Sequence, residues 1–285
     1  MESDKKLIWV VFYGLSSLGK TYFLKLFEDV CKTDNVTCQI VSSDDSTKKV
    51  MDDLKAKEPK LQGDELFERA KKPGAKLFEE TIGTAVKQMK PGNNVIVLDK
   101  VMNGGKFLQN LDKTYKPGCP TKLVALIPLT HPPLEYSQNG VVPFSELLLA
   151  NICHRIVSRD AHQTVSGSNS KKLFIALSFV KLYNGMKHLE EKKAEGGIDE
   201  FVEIPFHKET DDLAQQIPKD FSHHLKGILR KLKPFQGEES VCDDLAKWME
   251  NPDSVKTLEP VLSFGDPAEQ TKKIKSLLLN FESLK

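Results

Sequence analysis

The stretch VVFYGLSSLGKTYF, residues 10–23, joins three patterns that together decide the fold. An apolar run at 7–13 predicts a strand that is buried in a parallel sheet. The next segment, from Gly14 to Thr21, fits G-x-x-x-x-G-K-[ST] without a gap. Residues 21–31 then show the apolar spacing of a helix. This order of strand, loop and helix favours a phosphate-binding P-loop over an ordinary glycine-rich turn.

Each part of such a loop has a chemical role in holding a nucleoside triphosphate. Backbone N–H groups of the loop point at the phosphates, beside the positive end of a helix. Lys20 would reach the β- and γ-phosphates, and the Thr21 hydroxyl would bind Mg²⁺. We therefore expect ATP or GTP, with Mg²⁺, as the phosphoryl donor. The residues expected around the phosphates are Gly14, Leu15, Ser16, Ser17, Leu18, Gly19, Lys20 and Thr21.

Further strand signals alternate with helical segments, at 36–41, 94–100, 122–129 and 199–206. This alternation predicts an α/β protein of the P-loop NTPase or kinase type, with a parallel sheet flanked by helices. In the helical segment 66–90, a Pro-Gly pair predicts a break near the middle.

Only helical patterns follow residue 206. We expect a kinase domain over 1–206 and a helical extension over 207–285 that packs on it. No linker-like composition separates the two parts.

Composition narrows the class of protein. The chain has 285 residues, 28% charged, with a net charge of +1, which neither favours nor excludes a nucleic-acid partner. No apolar run reaches the ~20 residues that cross a bilayer, so no membrane partner is expected. The cysteines lack CxxC spacing, which favours a reduced intracellular protein, cytoplasmic or nuclear, without a zinc site. They are Cys31, Cys38, Cys119, Cys153 and Cys242.

Carboxylates follow two of the predicted strands. Asp44 and Asp45 come just after 36–41 within a Ser-Ser-Asp-Asp segment, and Asp99 closes 94–100. Ligands of open α/β sheets bind outside the carboxyl ends of the strands. Asp44 or Asp45 could therefore accept a proton from an attacking hydroxyl, although such a segment also forms turns and helix caps. Asp99 has the position of a carboxylate that holds Mg²⁺, with Asn103 nearby in sequence.

A basic segment near 155–170 predicts a lid over the nucleotide. Arg155 and Arg159 are four residues apart at the end of a helical pattern, and His162 and Gln163 follow in a polar loop. Arginines on such a loop can stabilise a transferring phosphoryl group. The alternative is a solvated helix end, where arginine is favoured by the helix dipole.

These pieces, in this order, resemble the polynucleotide 5′-kinase domain of fungal-type tRNA ligases. In that family three further motifs follow the P-loop. They are an N-D-N-type turn, a D-[RK]-N-N-H-type motif and an R-G-[DE]-N-H-Q-[ST]-type lid. The resemblance covers roughly residues 7 to 206. The matching positions are Asp44 or Asp45 with Thr47 and Lys48, then Asp99-Lys100, then Arg159 with His162-Gln163-Thr164.

The resemblance implies transfer of the γ-phosphoryl group to the 5′-hydroxyl of RNA, single-stranded or a tRNA exon. Asp44 would deprotonate that hydroxyl, and Asp99 would support Thr21 in holding Mg²⁺. Arg159 or Arg155 would neutralise the charge that develops on the phosphoryl group. His162 and Gln163 would contact the nucleotide.

The sequence also departs from the family. The lid spacing is one residue shorter, and Val-Met-Asn follows Asp99-Lys100 where the family has Asn-Asn-His. Too few residues precede the P-loop for a ligase domain, and no pair of H-x-[ST] motifs marks a phosphodiesterase domain. We therefore expect a free-standing kinase, with an RNA ligase or repair protein as candidate partner.

Two other functions stay open. One is a P-loop kinase of a small molecule or of an aminoacylated tRNA. The other is a nucleotide-binding switch or adaptor that docks through the helical tail. A basic groove near Asp44 would favour the RNA kinase, and its candidate walls are Lys48, Lys49, Lys55 and Lys57.

Overall fold

A five-stranded parallel sheet organises the residues that the structure describes. The computed structural model describes residues 4–12, 20–100, 105–129, 197–205 and 266–284. The strand order is β2-β3-β1-β4-β5, with β1 at the centre. The strands are β1 (Lys5–Phe12), β2 (Thr37–Ser42), β3 (Gly92–Asp99), β4 (Thr121–Leu129) and β5 (Glu200–Pro205).

Helices cover both faces of this sheet. They are α1 (Lys20–Thr33), α2 (Ser43–Lys57), α3 (Gly63–Lys87), α4 (Gly105–Gln109), α5 (Leu111–Tyr115) and α6 (Pro267–Leu278), which a 3₁₀ turn (Leu279–Ser283) follows. Side chains of β1 alternate between two cores because successive residues of a strand face opposite ways. Ile8 and Val10 pack towards α1 and α6. Trp9 and Val11 pack towards α3.

This architecture confirms the predicted α/β fold, a parallel sheet flanked by helices. The described strands end within two residues of their predicted limits. At the other end of the chain, α6 packs on α1 and β5. The division into 1–206 and 207–285 stays a prediction, because 206–265 lie outside the described residues. In the part that the structure describes, no helix is long and apolar enough to cross a membrane.

One local prediction was wrong. The Pro-Gly pair does not break the helix: α3 is continuous over 25 residues with Pro73 inside it. Pro73 lies on the exposed side, so the helix carbonyl that loses its partner can be solvated. Of the two structures that the Ser-Ser-Asp-Asp segment allows, a turn or a helix cap, it forms the cap. Ser42 ends β2 and caps α2, its Oγ accepting a hydrogen bond from the Asp45 N–H at 3.2 Å.

Candidate functional site

Three strands bring Lys20, Asp99 and the start of α2 to one edge of the sheet. β1, β2 and β3 are parallel neighbours, so their carboxyl ends lie side by side. In the β2–β3 register Ser42 is the partner of Asp99, and α2 begins directly after Ser42. The next described residue after β1 is Lys20, the first residue of α1. This edge is where ligands bind in open α/β sheets.

Lys20 begins a helix whose amino end suits an anion. The first turn of α1 contains no acidic residue, so its positive end is not neutralised from within the helix. The Lys20 ammonium lies 6.0 Å from the ring centroid of Phe12, the last residue of β1. Phe12 is buried and packs edge-on against Phe23 of α1, at 5.8 Å between centroids. These aromatic contacts hold the start of α1 close to the end of β1.

Several charged groups of the site influence the ionisation of Asp99. Burial raises the pKa of the Asp99 carboxyl above its ordinary value. The Lys20 ammonium opposes this shift, and the negative charges of Asp44 and Asp45 add to it. These interactions show that Lys20, Asp44 and Asp45 all lie within electrostatic reach of Asp99. The structure thus brings together Lys20, Asp99 and both candidate bases.

Asp44 and Asp45 occupy the first turn of α2 and are exposed. Carboxylates at this place also stabilise a helix through its dipole, so their position alone does not demand a catalytic role. Their negative charges act on the half-buried carboxyl of Asp99, and that interaction opposes its ionisation. A bound cation or a proton would relieve the repulsion.

The position of the Lys100 side chain was not predicted from the sequence. Its ammonium lies 5.2 Å from the Phe78 ring centroid and 5.6 Å from that of Phe107, within cation–π range. Strand alternation explains this, since residues 99 and 100 face opposite sides of the sheet. Asp99 therefore faces α1, whereas Lys100 faces α3. The same alternation could have predicted the arrangement from the sequence.

Several predicted site residues lie outside the described part of the chain. These are the loop residues Gly14 to Gly19, Asn103, and the lid residues Arg155, Arg159, His162 and Gln163. The predicted P-loop is bracketed by a strand ending at Phe12 and a helix beginning at Lys20. This is the structural context that the motif requires. Thr21 is described and lies exposed in the first turn of α1.

Thr21 and Asp99 fit Mg²⁺ in their donor chemistry. Both present oxygen atoms, which hard cations prefer, and Mg²⁺ sites in phosphoryl-transfer enzymes use one or two carboxylates plus substrate phosphates. Over the described ranges there is no cluster of three or more His, Cys, Asp or Glu residues that could hold a metal by itself.

Comparison with known proteins adds two distant structural similarities. No family model matches the chain, and no curated protein matches it. A solved structure from the PezAT toxin–antitoxin system of Streptococcus pneumoniae is 13% identical, with a TM-score of 0.41, over 99% of this chain and 87% of that one. A proposed kinase from Chloroflexus aurantiacus is 12% identical, with a TM-score of 0.34, over 81% and 98%. At such low scores neither similarity adds to the assignment of the fold, which rests on the sheet.

Proposed function

We propose that this protein is a P-loop phosphotransferase that transfers the γ-phosphoryl group of ATP or GTP to a hydroxyl acceptor. One observation carries the proposal: the half-buried carboxyl of Asp99 lies within electrostatic reach of the lysine that closes a P-loop motif and of two exposed carboxylates. These are the group types that phosphoryl transfer needs, namely a cation for the phosphates, a metal-supporting carboxylate and a base.

The residues divide the work in the following way. Lys20 and the loop N–H groups hold the β- and γ-phosphates at the amino end of α1. Asp44 accepts the acceptor's proton as its oxygen bonds to the γ-phosphorus and the bond to the β–γ bridging oxygen breaks. Thr21 and Asp99 would hold Mg²⁺, which neutralises phosphate charge when bound. Arg159 or Arg155 would stabilise the transferring group, and His162 and Gln163 would contact the nucleotide.

For the acceptor, we propose the 5′-hydroxyl end of RNA. The support is the order of motifs in the sequence: the P-loop, Asp44, Asp99-Lys100 and the His162-Gln163-Thr164 segment resemble a polynucleotide 5′-kinase. The exposure of Asp44 is compatible with a large acceptor, because a polymer end needs an open approach. An RNA ligase or repair protein remains the candidate partner.

A second candidate, a kinase of a small molecule or of an aminoacylated tRNA, is favoured by the charge pattern of α2. Lys48 and Lys49 are followed four residues later by Asp52 and Asp53, and all four are exposed. At this spacing opposite charges are neighbours on a helix surface. The helix therefore presents a nearly neutral face, whereas an extended RNA groove would be basic.

The acceptor is tested by offering γ-labelled ATP and GTP with a short 5′-hydroxyl RNA, the matching DNA, or no acceptor. We expect label on RNA, with the preferred donor read from the same gel. Hydrolysis without transfer to RNA would overturn the RNA assignment and favour a small-molecule kinase. Nucleotide binding with neither hydrolysis nor transfer would favour the remaining alternative, a switch or adaptor.

A further inference from the structure

Helix α3 is longer than the strands that it covers. Phe78 contacts Lys100, which directly follows β3, so α3 passes the carboxyl edge of the sheet near Phe78. Towards its carboxyl end, Phe78 and Ile82 pack in the core against the sheet. Residues 63–77 therefore extend roughly 20 Å beyond that edge at the usual helical rise. This overhanging half of α3 lies on the side of the sheet edge where Asp99 ends its strand.

Helix α2 packs against the overhanging half of α3. α2 buries only Ser46 completely, and its apolar residues Val50, Met51 and Leu54 are half-buried. α2 and α3 contact each other extensively, whereas α2 makes only a small contact with β3. The position of α2, and of the two carboxylates in its first turn, therefore depends on how it packs against α3.

The two helices approach each other closely at Gly74 and Thr47. A Cβ atom on Gly74 would lie 2.8 Å from Thr47 Cα and 2.8 Å from its Oγ1. Contacts that short are not tolerated, and the nearest obstacle includes backbone, which cannot rotate away. Glycine inside a helix costs about 1 kcal/mol relative to alanine. The close approach explains why glycine is suited to this position.

Thr47 lies one turn from the start of α2. Its Oγ1 donates a hydrogen bond to the Ser43 carbonyl at 2.9 Å, and the Ser46 hydroxyl donates to the Ser42 carbonyl at 2.8 Å. The first turn of α2 is therefore well connected internally. A displacement of Thr47 would be transmitted to Asp44 and Asp45 rather than absorbed between them.

We infer that Gly74 is a positioning residue: its close contact with Thr47 sets the distance of the Asp44 and Asp45 carboxylates from Asp99. The expected fall in kcat rests on the proposed phosphoryl transfer, whereas the expected displacement of the Asp44 and Asp45 carboxylates does not. Relief of a 2.8 Å contact needs a shift of the order of 1 Å. Misplacement of that size can lower a catalysed rate about 100-fold.

The test compares Gly74→Ala with Gly83→Ala. Both remove a glycine from the interior of α3, but a Cβ on Gly83 would meet only Tyr115 Cδ1, at an ordinary 3.9 Å. For Gly74→Ala we expect kcat to fall about 100-fold with an unchanged KM for the nucleotide. Gly83→Ala should keep wild-type kcat. Equal kcat values in the two variants would overturn the inference.

A second readout needs no enzymatic activity. A displaced α2 changes the distances from the Asp44 and Asp45 carboxylates to the Asp99 carboxylate. These distances can be measured in crystal structures of wild type and of Gly74→Ala without substrate. If wild type transfers no phosphate, the proposed function fails while this comparison still tests the positioning. Distances that are the same in Gly74→Ala and wild type would contradict the inference.

If Gly74→Ala does not fold, Thr47→Ala provides a second test of the same contact. It removes side-chain atoms from the crossing without adding any. Its matched control is Thr84→Ala, because Thr84 is an exposed threonine of α3 with the same type of bond to a carbonyl four residues earlier, at 3.0 Å. We expect Thr47→Ala to change the distances from the Asp44 and Asp45 carboxylates to Asp99 and to lower kcat several-fold, and Thr84→Ala to change neither. Identical behaviour of the two threonine variants would overturn the inference.

Discussion

At the scale of single residues, Asp99 shows why this edge of the sheet is chemically unusual. A strand-ending aspartate is common, but this one is half-buried beside two further carboxylates and one lysine. The sequence predicted its position because a strand pattern ended there. It could not predict the electrostatics, since those depend on neighbours 55 and 79 residues away in the chain, at Asp44 and Lys20.

Asp99→Asn should stabilise the protein, and more so at neutral than at acid pH. A raised folded-state pKa means that folding favours the protonated carboxyl, so wild type is most stable below the unfolded-state pKa. The free energy of unfolding of wild type then falls as pH rises through the folded-state pKa. The slope is at most about 1.4 kcal/mol per pH unit. Because asparagine does not ionise, the Asp99→Asn variant does not lose this stability as pH rises. Urea unfolding at pH 4 and pH 7 measures the difference.

The control for this prediction is Asp53→Asn, an exposed aspartate of α2. Its effect should be small at both pH values. A stabilisation by Asp99→Asn that does not grow with pH would contradict the assigned burial of Asp99.

At the scale of elements, apolar runs predicted the strands well, whereas the Pro-Gly pair misled the prediction for α3. Residues on both sides of Pro73 are buried, namely Ala70 before it and Phe78 after it. This packing outweighs the local cost of proline on an exposed face. Local propensity could not reveal it, because it depends on contacts with α2 and the sheet. The importance of Gly74 was hidden for the same reason.

Pro73→Ala should therefore raise the free energy of unfolding. Alanine restores the missing backbone hydrogen bond, and we expect a gain of about 2 kcal/mol after the greater freedom of the unfolded chain is allowed for. Lys72→Ala, at an exposed neighbouring position, should change stability little. Denaturant unfolding of both variants measures the effect. Unchanged or lower stability of Pro73→Ala would mean that the proline conformation is itself favourable there.

At the scale of the whole molecule, the carboxyl-terminal residues close the core. Ile274, Leu277 and Phe281 are buried against α1 and the sheet, and Lys6 Nζ donates a hydrogen bond to the Phe281 carbonyl at 2.9 Å. Lys122 also pairs with Glu200 at 2.9 Å and contacts Asn280. The sequence predicted helix here but could not specify these partners, since they link opposite ends of the chain.

This packing predicts that alanine substitutions at two nearby leucines differ strongly in their effect on stability. Leu277 is fully buried, whereas Leu279 is 61% exposed. Leu277→Ala should lower the free energy of unfolding by about 2–5 kcal/mol, because it leaves a cavity under α6. Leu279→Ala should change it by no more than about 0.5 kcal/mol. Similar losses in the two variants would show that α6 does not dock as described.

The central claim, that Lys20 and Asp44 serve one phosphoryl-transfer site in different roles, is tested most directly by separating nucleotide binding from transfer. The variants are Lys20→Ala, Asp44→Ala and Asp45→Ala, with exposed Asp53→Ala as control. We predict that Lys20→Ala weakens nucleotide binding, and that Asp44→Ala binds normally but transfers no label. Transfer lost in Asp45→Ala instead would move the base by one residue. Normal binding by Lys20→Ala, or normal transfer by both aspartate variants, would contradict the account.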